Sequence, residues 1–418
     1  MKIVNFGSCN IDYVYQLDHI VKVGETEHST RRDVFPGGKG LNQSIAIAKA
    51  GQKVYHAGCV GSDGKLLLDT MTDSGVDISF MQTLNEPSGH AVIQVSAKGE
   101  NSIVIHSGAN GMFATEYIDH VLSHFEKGDL LLLQNEINAT EYIVEKAYEK
   151  GMITVINPSP IDENIEKIDF NKISYAVLNE IEGEYLSRCK EPAKIVSALR
   201  KKYPDLKVVL TLGDKGCMYH DGDDLYFHSA YDVPVVDTTA AGDTFMGYFK
   251  AGLSEGMDPD AILKRACVAS ALAVSVKGAA PSIPYEEEVR SASGVIKAKD
   301  TGFVANEETI LAKIEAYIDE NIQSISLATL SGELGYSSVY TGHIVKKTTG
   351  KSFSDYLKEK RCSMAAKLLR ETDLPIGQVI HSVGYSNESF FRDKFKEFYG
   401  VSPLTYRKTL KNQGGTKH

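Results

Sequence analysis

Short apolar runs and amphipathic segments take turns along the first part of the chain. Runs typical of buried parallel strands occur at Lys2–Phe6, Val54–Cys59, Leu130–Leu133, Ile153–Ile156, Ala176–Leu178 and Val208–Leu212. Segments with helical periodicity lie between them, at Leu41–Ala50, Tyr142–Glu149 and Pro192–Lys202. This alternation predicts an α/β fold with a doubly wound, mainly parallel sheet.

Two segments depart from that pattern. Tyr13–Thr30 and Gly89–Ile105 contain short stretches in which apolar and polar residues alternate. Such alternation favours strands with one buried face, so we expect a small antiparallel sheet. We predict that this sheet forms a lid beside a ligand site.

The last part of the chain is helical by its periodicity. Helices are predicted at Glu307–Asn321, Ser326–Glu333, Ser337–Lys347, Ser354–Glu371, Ile376–Val383 and Asn387–Tyr399. Two helices joined by a tight glycine-containing turn occur twice, with glycines at Gly335 and Gly384. This pattern predicts an all-α domain with two helix-turn-helix units, although periodicity alone also fits a plain helical bundle.

The segment between the two parts consists mainly of small and polar residues, and this composition predicts a linker. We therefore divide the chain into a first domain at 1–295, a linker at 296–306, a helical domain at 307–410 and a tail at 411–418.

Charge separates the two parts as well. The chain of 418 residues has a net charge of −10, but residues 1–300 carry 29 Lys and Arg against 42 Asp and Glu. From Ser324 onward the count is 15 against 8. An acidic first part argues against a protein that coats nucleic acid throughout, whereas the basic end suggests a nucleic-acid-binding module.

Cysteines and apolar runs bear on where the protein works. The six cysteines include no C-x-x-C pair, so neither a disulfide framework nor a zinc site is indicated. We find neither the apolar core of a signal peptide nor a run long enough to cross a bilayer. We expect a soluble, cytoplasmic protein with no membrane partner.

The stretch Asp237–Phe249 offers the most specific chemistry. A β-branched run at Val233–Val236 predicts a strand, small residues follow at 240–242, and an amphipathic helix is predicted to open at Asp243. Free backbone N–H groups at a helix N-terminus favour a phosphate, and a carboxylate in the first turn can take the proton of a hydroxyl. A helix cap explains Asp243 equally well when it is taken alone.

An earlier stretch contributes polar groups. Asp12 follows the first predicted strand, where it could bind sugar hydroxyls or simply occupy a turn. Pro36–Gln43 contains glycines that let a ligand approach the backbone, with Lys39 and Asn42 as donors. A glycine-rich turn alone is a weak signal.

Together the two motifs, Gly37-Gly-Lys-Gly-x-Asn-Gln43 and Asp237-Thr-Thr-x-x-Gly-Asp-Thr-Phe245, resemble the signatures of the PfkB (ribokinase-like) sugar kinases. The resemblance extends from Met1 to about Val295. It implies ATP-dependent phosphorylation of a ribose-like sugar, with Mg²⁺ and K⁺ as cofactors and a lid-mediated homodimer. Ribose is the leading substrate, followed by deoxyribose, fructose and a nucleoside.

The resemblance also implies roles for individual residues. The base would be Asp243, with Ala241 and Gly242 forming the anion hole. Sugar-binding residues would be Asp12, Gly38, Lys39, Asn42 and Glu136. Nucleotide-binding residues would be Asn179, Thr211, Gly213 and Gly216, and Glu182 would hold Mg²⁺ through water. A monovalent-cation site would comprise Asp237, Thr239, Ala273, Val276, Gly278 and Ser282.

Leu374–Arg407 is similar to the AraC/XylS family signature, and the resemblance covers about Glu308 to Lys408. It implies double-stranded DNA as a partner and two recognition helices, Ser337–Lys347 and Asn387–Glu397. Their exposed faces would present Ser338, Val339, Gly342, His343 and Lys346 in the first, and Asn387, Glu388, Arg392 and Lys396 in the second. Four aromatic residues would be core: Phe391, Phe395, Tyr399 and Tyr406.

Two positions depart from that family's pattern. Gly342-His343 stands where a small polar residue and Arg are usual, and Asp393 stands where Arg is common. A carboxylate in place of a phosphate-binding Arg repels DNA.

Three hypotheses follow. The first is a bifunctional protein, a sugar kinase coupled to transcription regulation. The second is a catalytically silent transcription factor that senses a sugar or nucleoside with a kinase fold. The third is a kinase whose DNA-binding domain is vestigial.

Overall fold

The computed structural model describes residues 1–222, 224–299, 307–334 and 338–414. The chain divides into two compact units, Met1–Phe303 and Val304–His418. Most of the predicted linker, 300–306, and the predicted turn at Gly335 lie outside the described residues. Residues 297–299 of that linker pair with the first unit, since the Lys299 N–H donates to the Ala230 carbonyl at 2.7 Å.

The strands of the first unit are β1 (Ile3–Phe6), β2 (Asn10–Leu17), β3 (Arg31–Gly37), β4 (Val54–Val60), β5 (Asp77–Thr83), β6 (Gly89–Ser96), β7 (Asn101–His106), β8 (Leu130–Gln134), β9 (Ile153–Asn157), β10 (Tyr175–Asn179), β11 (Lys207–Thr211), β12 (Cys217–His220) and β13 (Leu225–His228). Its helices are α1 (Lys39–Lys49), α2 (Lys65–Asp73), α3 (Thr115–Leu122), α4 (Thr140–Lys150), α5 (Glu180–Ser187), α6 (Pro192–Lys202), α7 (Ala241–Ser254), α8 (Pro259–Val274) and α9 (Glu286–Ala292).

Within the described residues, nine strands form a large sheet in the order β13-β12-β11-β10-β9-β8-β1-β4-β5. The pairs from β11 to β5 are parallel, and β12 and β13 add an antiparallel edge. Each predicted strand of this sheet is present, and the doubly wound α/β prediction is confirmed. The runs Leu130–Leu133 and Val208–Leu210 are buried, as expected for strands covered on both faces.

Strand β1 sits where the chain changes direction in the sheet. From β1 the chain proceeds to β4 and β5 on one side and to β8, β9, β10 and β11 on the other. A crevice opens at the carboxyl ends of parallel strands at such a switch point, and ligands of α/β proteins bind there. Glu136, Asn179 and Thr211 lie at or just beyond the carboxyl ends of these strands, whereas Asp12 lies in β2, the strand that follows β1.

The small sheet has the order β3-β2-β6-β7, and it differs from the prediction in two ways. Its central pair, β2 with β6, is parallel, so the expectation of a wholly antiparallel sheet was wrong. The partner of β2 on its other side is β3 at Arg31–Gly37, beyond the predicted Tyr13–Thr30 segment. Because β2 and β6 are far apart in sequence, tertiary contacts decide their direction.

The predicted strand at Val233–Val236 is absent, although this part of the chain is described. Val235 and Val236 are 63% and 58% exposed. The N–H groups of Val236 and Asp237 both donate to the Val274 carbonyl, at 2.7 and 3.1 Å. Pro234 lies within this run and has no N–H to donate to a neighbouring strand, and the run forms a loop. Helix α7 begins at Ala241, slightly before the predicted start at Asp243.

Helices α1 and α7 pack unusually close to one another. A Cβ atom built on Gly247 of α7 would lie 2.2 Å from the Cβ of Ala46 in α1. Only glycine fits at that contact without displacing a helix. The approach brings the N-terminal turns of the two helices together at the crevice.

The second unit consists of helices in the described part of the chain: α10 (Glu307–Asn321), α11 (Leu327–Leu334), α12 (Ser338–Thr349), α13 (Phe353–Glu371), α14 (Ile376–Ser382), α15 (Glu388–Tyr399) and α16 (Pro403–Gly414). The all-α prediction is confirmed. Helix α16 continues to Gly414, into the segment 411–418 that was predicted as a tail.

The core of the C-terminal half contains the predicted aromatic residues. Phe391 and Phe395 are fully buried, and Tyr399 and Tyr406 pack against them with ring centroids 4.6 and 5.5 Å from that of Phe395. Among the helices that the structure describes, none is both long and apolar enough to cross a lipid bilayer.

Candidate functional sites

The carboxylate of Asp243 lies in the first turn of α7 and is held by two amides from α1. Asn42 Nδ2 donates to Asp243 Oδ2 at 3.0 Å, and Gln43 Nε2 donates to Oδ1 at 2.9 Å. Asp243 is 6% exposed. Both amide groups donate to the carboxyl group and so fix its orientation at the start of α7.

Gln43 was not assigned a role from the sequence, although it stands beside Asn42 in the glycine-rich motif. Its Oε1 accepts from Gln134 Nε2 at 2.9 Å, so a chain of amides leads from β8 to Asp243. Asn42 Oδ1 is buried and has no hydrogen-bond partner among the described residues. A buried acceptor of this kind is free to take a hydrogen bond from a ligand hydroxyl.

Lys39, the first residue of α1, is surrounded by carboxylates. Burial disfavours its charge, but Asp243, Glu136 and Glu182 outweigh that effect and raise its pKa. Burial raises the pKa of Glu136, against the influence of Lys39 and of a hydrogen bond from Ser8. When all four groups are charged, three negative charges face one positive charge in a largely buried site. That excess suits a bound cation.

Asp12, in strand β2 of the small sheet, lies against the glycine-rich motif. Burial, with a contribution from Glu136, raises the pKa of Asp12 to about 7. A Cβ atom on Gly37 would lie 2.1 Å from Asp12 Oδ2, so this carboxyl occupies the space that only glycine leaves free. The Lys39 N–H donates to Glu136 Oε2 at 3.0 Å, which places two predicted sugar-binding residues in contact.

Gly38 and the neighbouring cavity complete this side of the crevice. Gly38 caps α1 with φ 95°, the left-handed region that favours glycine. A cavity of about 360 Å³ lies between the lid and the end of β8, and its walls include Asn10, Asn110 and Glu136. Asn110 Nδ2 donates to Asn10 Oδ1 at 2.7 Å. The sequence contained Gly108-Ala-Asn110, but no role was assigned to it.

Asn179 and Glu182 form a capping box at the start of α5. Asn179 Oδ1 accepts from the Glu182 N–H at 2.9 Å, and Glu182 Oε2 accepts from the Asn179 N–H at 2.9 Å. Burial raises the pKa of Glu182. The structure thus places Asn179, predicted to bind nucleotide, as the residue that orients Glu182.

A second cavity, of about 260 Å³, runs beside the N-terminus of α7. Five predicted residues line it: Thr211, Gly213, Gly216, Ala241 and Gly242. Apolar side chains such as Val233, Phe245 and Val274 form much of the remaining wall. The Ala241 N–H donates to the Thr238 carbonyl at 3.2 Å, so the N–H groups of Gly242 and Asp243 are better placed to receive an anion.

The predicted monovalent-cation residues lie on the loop before α7, in the last turn of α8 and on the segment after α8, and the two loops meet. Asp237 Oδ2 accepts from the Gly278 N–H at 3.0 Å, and Asp237 Oδ1 accepts from the Thr239 N–H at 3.0 Å. Hydrogen bonds lower the pKa of Asp237 despite its partial burial, which alone would raise it. At the end of α8 the Ala273 carbonyl accepts from the Val276 N–H at 3.2 Å, and beyond α8 the Ser282 hydroxyl donates to the Ala279 carbonyl at 2.8 Å.

In the second unit, α12 is the predicted first recognition helix. Its predicted contact residues lie on one stretch of its surface, where Ser338 and Lys346 are exposed and Gly342 and His343 are half-buried. The side chain of Val339 lies outside the described part. Ile344 and Val345 face inward and are buried, so the helix has a distinct outer face.

In the second predicted recognition helix, α15, three of the four predicted contact residues make contacts within the helix or at its start. Asn387 Oδ1 accepts from the Phe390 N–H at 3.0 Å and so caps the helix. Arg392 pairs with Glu388 at 2.8 Å along the same face. Lys396 and Asp393 are exposed. The outer face of α15 therefore carries mixed charge.

Comparison with known proteins follows the same division. The model for pfkB family carbohydrate kinases matches residues 1–286, and a helix-turn-helix domain of the AraC type matches residues 330–409. The ribokinase of Bacillus subtilis is 33% identical over 287 residues, which are 68% of this chain and 96% of that relative.

Solved structures resemble the first unit too. The ribokinase of Cryptococcus neoformans var. grubii in complex with ADP is 33% identical with a TM-score of 0.63, over 69% of this chain and 99% of its own. The ribokinase of Arabidopsis thaliana complexed with ribose and ATP is 29% identical with a TM-score of 0.64, over 70% and 98%. The chain therefore belongs to the pfkB family of carbohydrate kinases, as a ribokinase-like domain fused to an AraC-type helix-turn-helix domain.

Proposed function

We propose that this protein phosphorylates a hydroxyl of a ribose-like sugar with ATP, and that its second unit binds DNA and regulates transcription. The observation that carries the first half is the fixed carboxylate of Asp243. It lies at the N-terminus of α7, is held by Asn42 and Gln43, and sits beside the cavity that Gly242 lines.

Asp243 acts as the base. The sugar oxygen forms a bond to the γ-phosphorus while the bond from that phosphorus to ADP breaks, and the hydroxyl proton passes to the Asp243 carboxylate. The N–H groups of Gly242 and Asp243, together with the dipole of α7, stabilise the negative charge on the transferring group. The apolar wall at Val233, Phe245 and Val274 suits a purine ring.

The surrounding charges fit the expected cations. Glu182 would hold Mg²⁺ through water, because its carboxylate is fixed by Asn179 and lies in a site with excess negative charge. The loops around Asp237 and Gly278 would hold K⁺, mostly with backbone oxygens. Mg²⁺ supplies neutralisation of phosphate charge when bound.

Sugar recognition falls to the lid side. Asp12 accepts hydrogen bonds from sugar hydroxyls. Asn42 Oδ1 is a buried acceptor without a hydrogen-bond partner among the described residues, and it accepts from another sugar hydroxyl. The ligand of the Arabidopsis relative makes ribose the leading substrate for this chain. Deoxyribose, fructose and a nucleoside are the substrates to compare with it.

The DNA-binding half rests on the domain match at 330–409 and on the outer faces of α12 and α15. Lys346 and Lys396 are exposed there and would contact phosphates. We propose that the ligand state of the first unit changes DNA binding by the second, in a homodimer that works in the cytoplasm.

The test of the kinase is ADP release by the full chain with ATP, Mg²⁺ and K⁺ across these substrates, for wild type and Asp243→Asn. Removal of a general base lowers turnover by about 10²- to 10⁴-fold. Asp73→Asn, at an exposed position near the end of α2, is the matched control. Sugar-dependent turnover that is lost only in Asp243→Asn supports the kinase. Sugar-induced thermal stabilisation without turnover in any variant would leave a sensor in its place.

A further inference from the structure

We propose that Lys299 is a nucleotide-contacting residue, supplied by the segment that leads to the second unit, so that nucleotide binding and docking of this segment stabilise each other. The proposal rests on the proposed function, since it takes the cavity beside α7 as the nucleotide site. It adds a residue beyond the matched kinase domain, which ends at residue 286.

The segment 297–299 is held against the wall of that cavity by its backbone. The Asp232 N–H donates to the Lys297 carbonyl at 2.9 Å, and the Lys299 N–H donates to the Ala230 carbonyl at 2.7 Å. Tyr231 and Ala298 form an antiparallel bridge between these bonds. Ala230 and Tyr231 themselves line the cavity, so the docked segment forms part of the nucleotide pocket.

Lys299 is placed by this pairing to face the cavity. It is half-buried and lines the cavity, whereas Lys297, two residues earlier, is exposed and does not line it. Of the described residues around this cavity, Lys299 is the only one with a positive charge, and Asp214 is the only acidic one. An ammonium group in a largely apolar wall attracts an anionic ligand more strongly than one in open water.

The backbone partner of Lys299, Ala230, lies close along the sheet edge to the turn that is predicted to bind nucleotide. Cys217, which follows Gly216, pairs with His228 at the edge of the large sheet, and Ala230 comes shortly after His228. The same docked segment precedes α10, the first helix of the second unit, which begins at Glu307. A contact between nucleotide and Lys299 therefore acts on the chain that joins the two units.

The coupling is reciprocal by thermodynamic linkage. Nucleotide in the cavity stabilises the three docked residues, and release of these residues removes a wall and a charge from the pocket. No rearrangement of either unit is required for this effect. Nucleotide binding thus directly stabilises the docked state of segment 297–299, which leads to the second unit.

The test is the dissociation constant of ADP for the full chain, measured by calorimetry for wild type, Lys299→Gln, Lys299→Glu and Lys297→Gln. Loss of one charge-assisted contact predicts binding about tenfold weaker in Lys299→Gln, and weaker still in Lys299→Glu. Lys297→Gln, the matched control on the same segment, should bind ADP like wild type. The melting temperature of each variant shows that it is folded.

A second measurement follows the docking itself. With saturating ADP, amide hydrogen exchange should slow at Lys299 and Asp232 in wild type, and less so in Lys299→Gln. The role of Lys299 alone would be overturned if wild type and Lys299→Gln bound ADP with equal affinity. It would also be overturned if Lys299→Gln and Lys297→Gln lost ADP affinity equally. A wild type that binds no ADP would overturn the proposed kinase as well, so the two failures are distinguishable.

Discussion

Asn42 and Asp243, 201 positions apart in the sequence, meet through a hydrogen bond of 3.0 Å from Nδ2 to Oδ2. Each residue lies near the start of a different helix, α1 or α7, and each follows a glycine-containing stretch. The contact forms because Gly247 lets the two helices approach at Ala46. The candidate base is thus oriented by the motif that is predicted to bind the sugar.

This pair leads to a prediction for Asn42→Asp. The change keeps the shape of the side chain but replaces a donor with a second carboxylate beside Asp243. Like charges at this distance raise the pKa of one partner and disturb the base. We expect turnover with sugar to fall by about 100-fold or more at neutral pH. ADP affinity should be unchanged, and a variant with normal turnover would contradict the role of the pair.

Sugar affinity should depend on pH through Asp12, whose pKa is raised to about 7 by burial. If sugar hydroxyls donate to the ionised carboxylate, affinity rises about tenfold between about pH 6 and about pH 8. Calorimetry of sugar binding with wild type and Asp12→Asn measures this. The variant should bind weakly and without this pH dependence; retention of the same profile would assign it to another group.

Without sugar, the same group affects stability in the opposite sense. The folded protein binds the Asp12 proton more tightly than the unfolded chain, whose carboxyl has a pKa of 3.8. The free energy of unfolding therefore falls as the pH rises from near 4 to near 7, and this contribution then stays level. Denaturant titrations of wild type and Asp12→Asn across that range provide the check.

Gly37→Ala should weaken sugar binding without altering the nucleotide cavity. The added methyl group would lie 2.1 Å from Asp12 Oδ2, so the carboxyl has to move. We expect sugar affinity about tenfold lower and unchanged ADP affinity, both by calorimetry. Gly294→Ala is the control, because a Cβ there meets open space. Equal sugar affinity in both variants would show that Asp12 does not need its observed position.

Glu182→Gln should change the need for Mg²⁺. The amide keeps an oxygen for the Asn179 N–H but loses the charge, and outer ligands of a metal commonly contribute about tenfold or more to its affinity. We expect the Mg²⁺ concentration for half-maximal ADP release to rise about tenfold. Glu180→Gln, in the same turn of α5 and more exposed, is the matched control. An equal shift in both variants would exclude a specific role for Glu182.

Asp393→Arg should strengthen DNA binding if α15 lies against DNA. Asp393 is exposed on α15, so the change adds a cation in place of a repelling carboxylate. We expect tighter DNA binding, measured by fluorescence anisotropy at several salt concentrations. The slope of log binding constant against log salt concentration should become steeper by the equivalent of about one phosphate contact. Asp205→Arg on the first unit makes the same charge change at an exposed site. Equal gains in both would indicate a nonspecific effect of charge.

The two units and most of their helices and strands could be predicted from local patterns in the amino-acid sequence. Buried apolar runs predicted six of the seven parallel strands that the structure describes in the large sheet, because such strands need no alternation. These six are β1, β4, β8, β9, β10 and β11, whereas β5 was not predicted. The two motifs placed Asn42 and Asp243 at helix starts, and the helical periods located α10 to α15. These signals are local, so they can be interpreted without knowledge of what packs against each element.

Tertiary structure decided what those local signals left open. The run Val233–Val236 was predicted as a strand but forms a loop whose end is bonded to the Val274 carbonyl, and β2 pairs in parallel with β6. The amide chain from Gln134 through Gln43 to Asp243 depends on the packing of α1 against α7 and β8. Lys299 belongs to a segment that was predicted as a linker, but it is bonded to the first unit and lines the cavity. Each depends on contacts between distant residues, which periodicity along the chain does not encode.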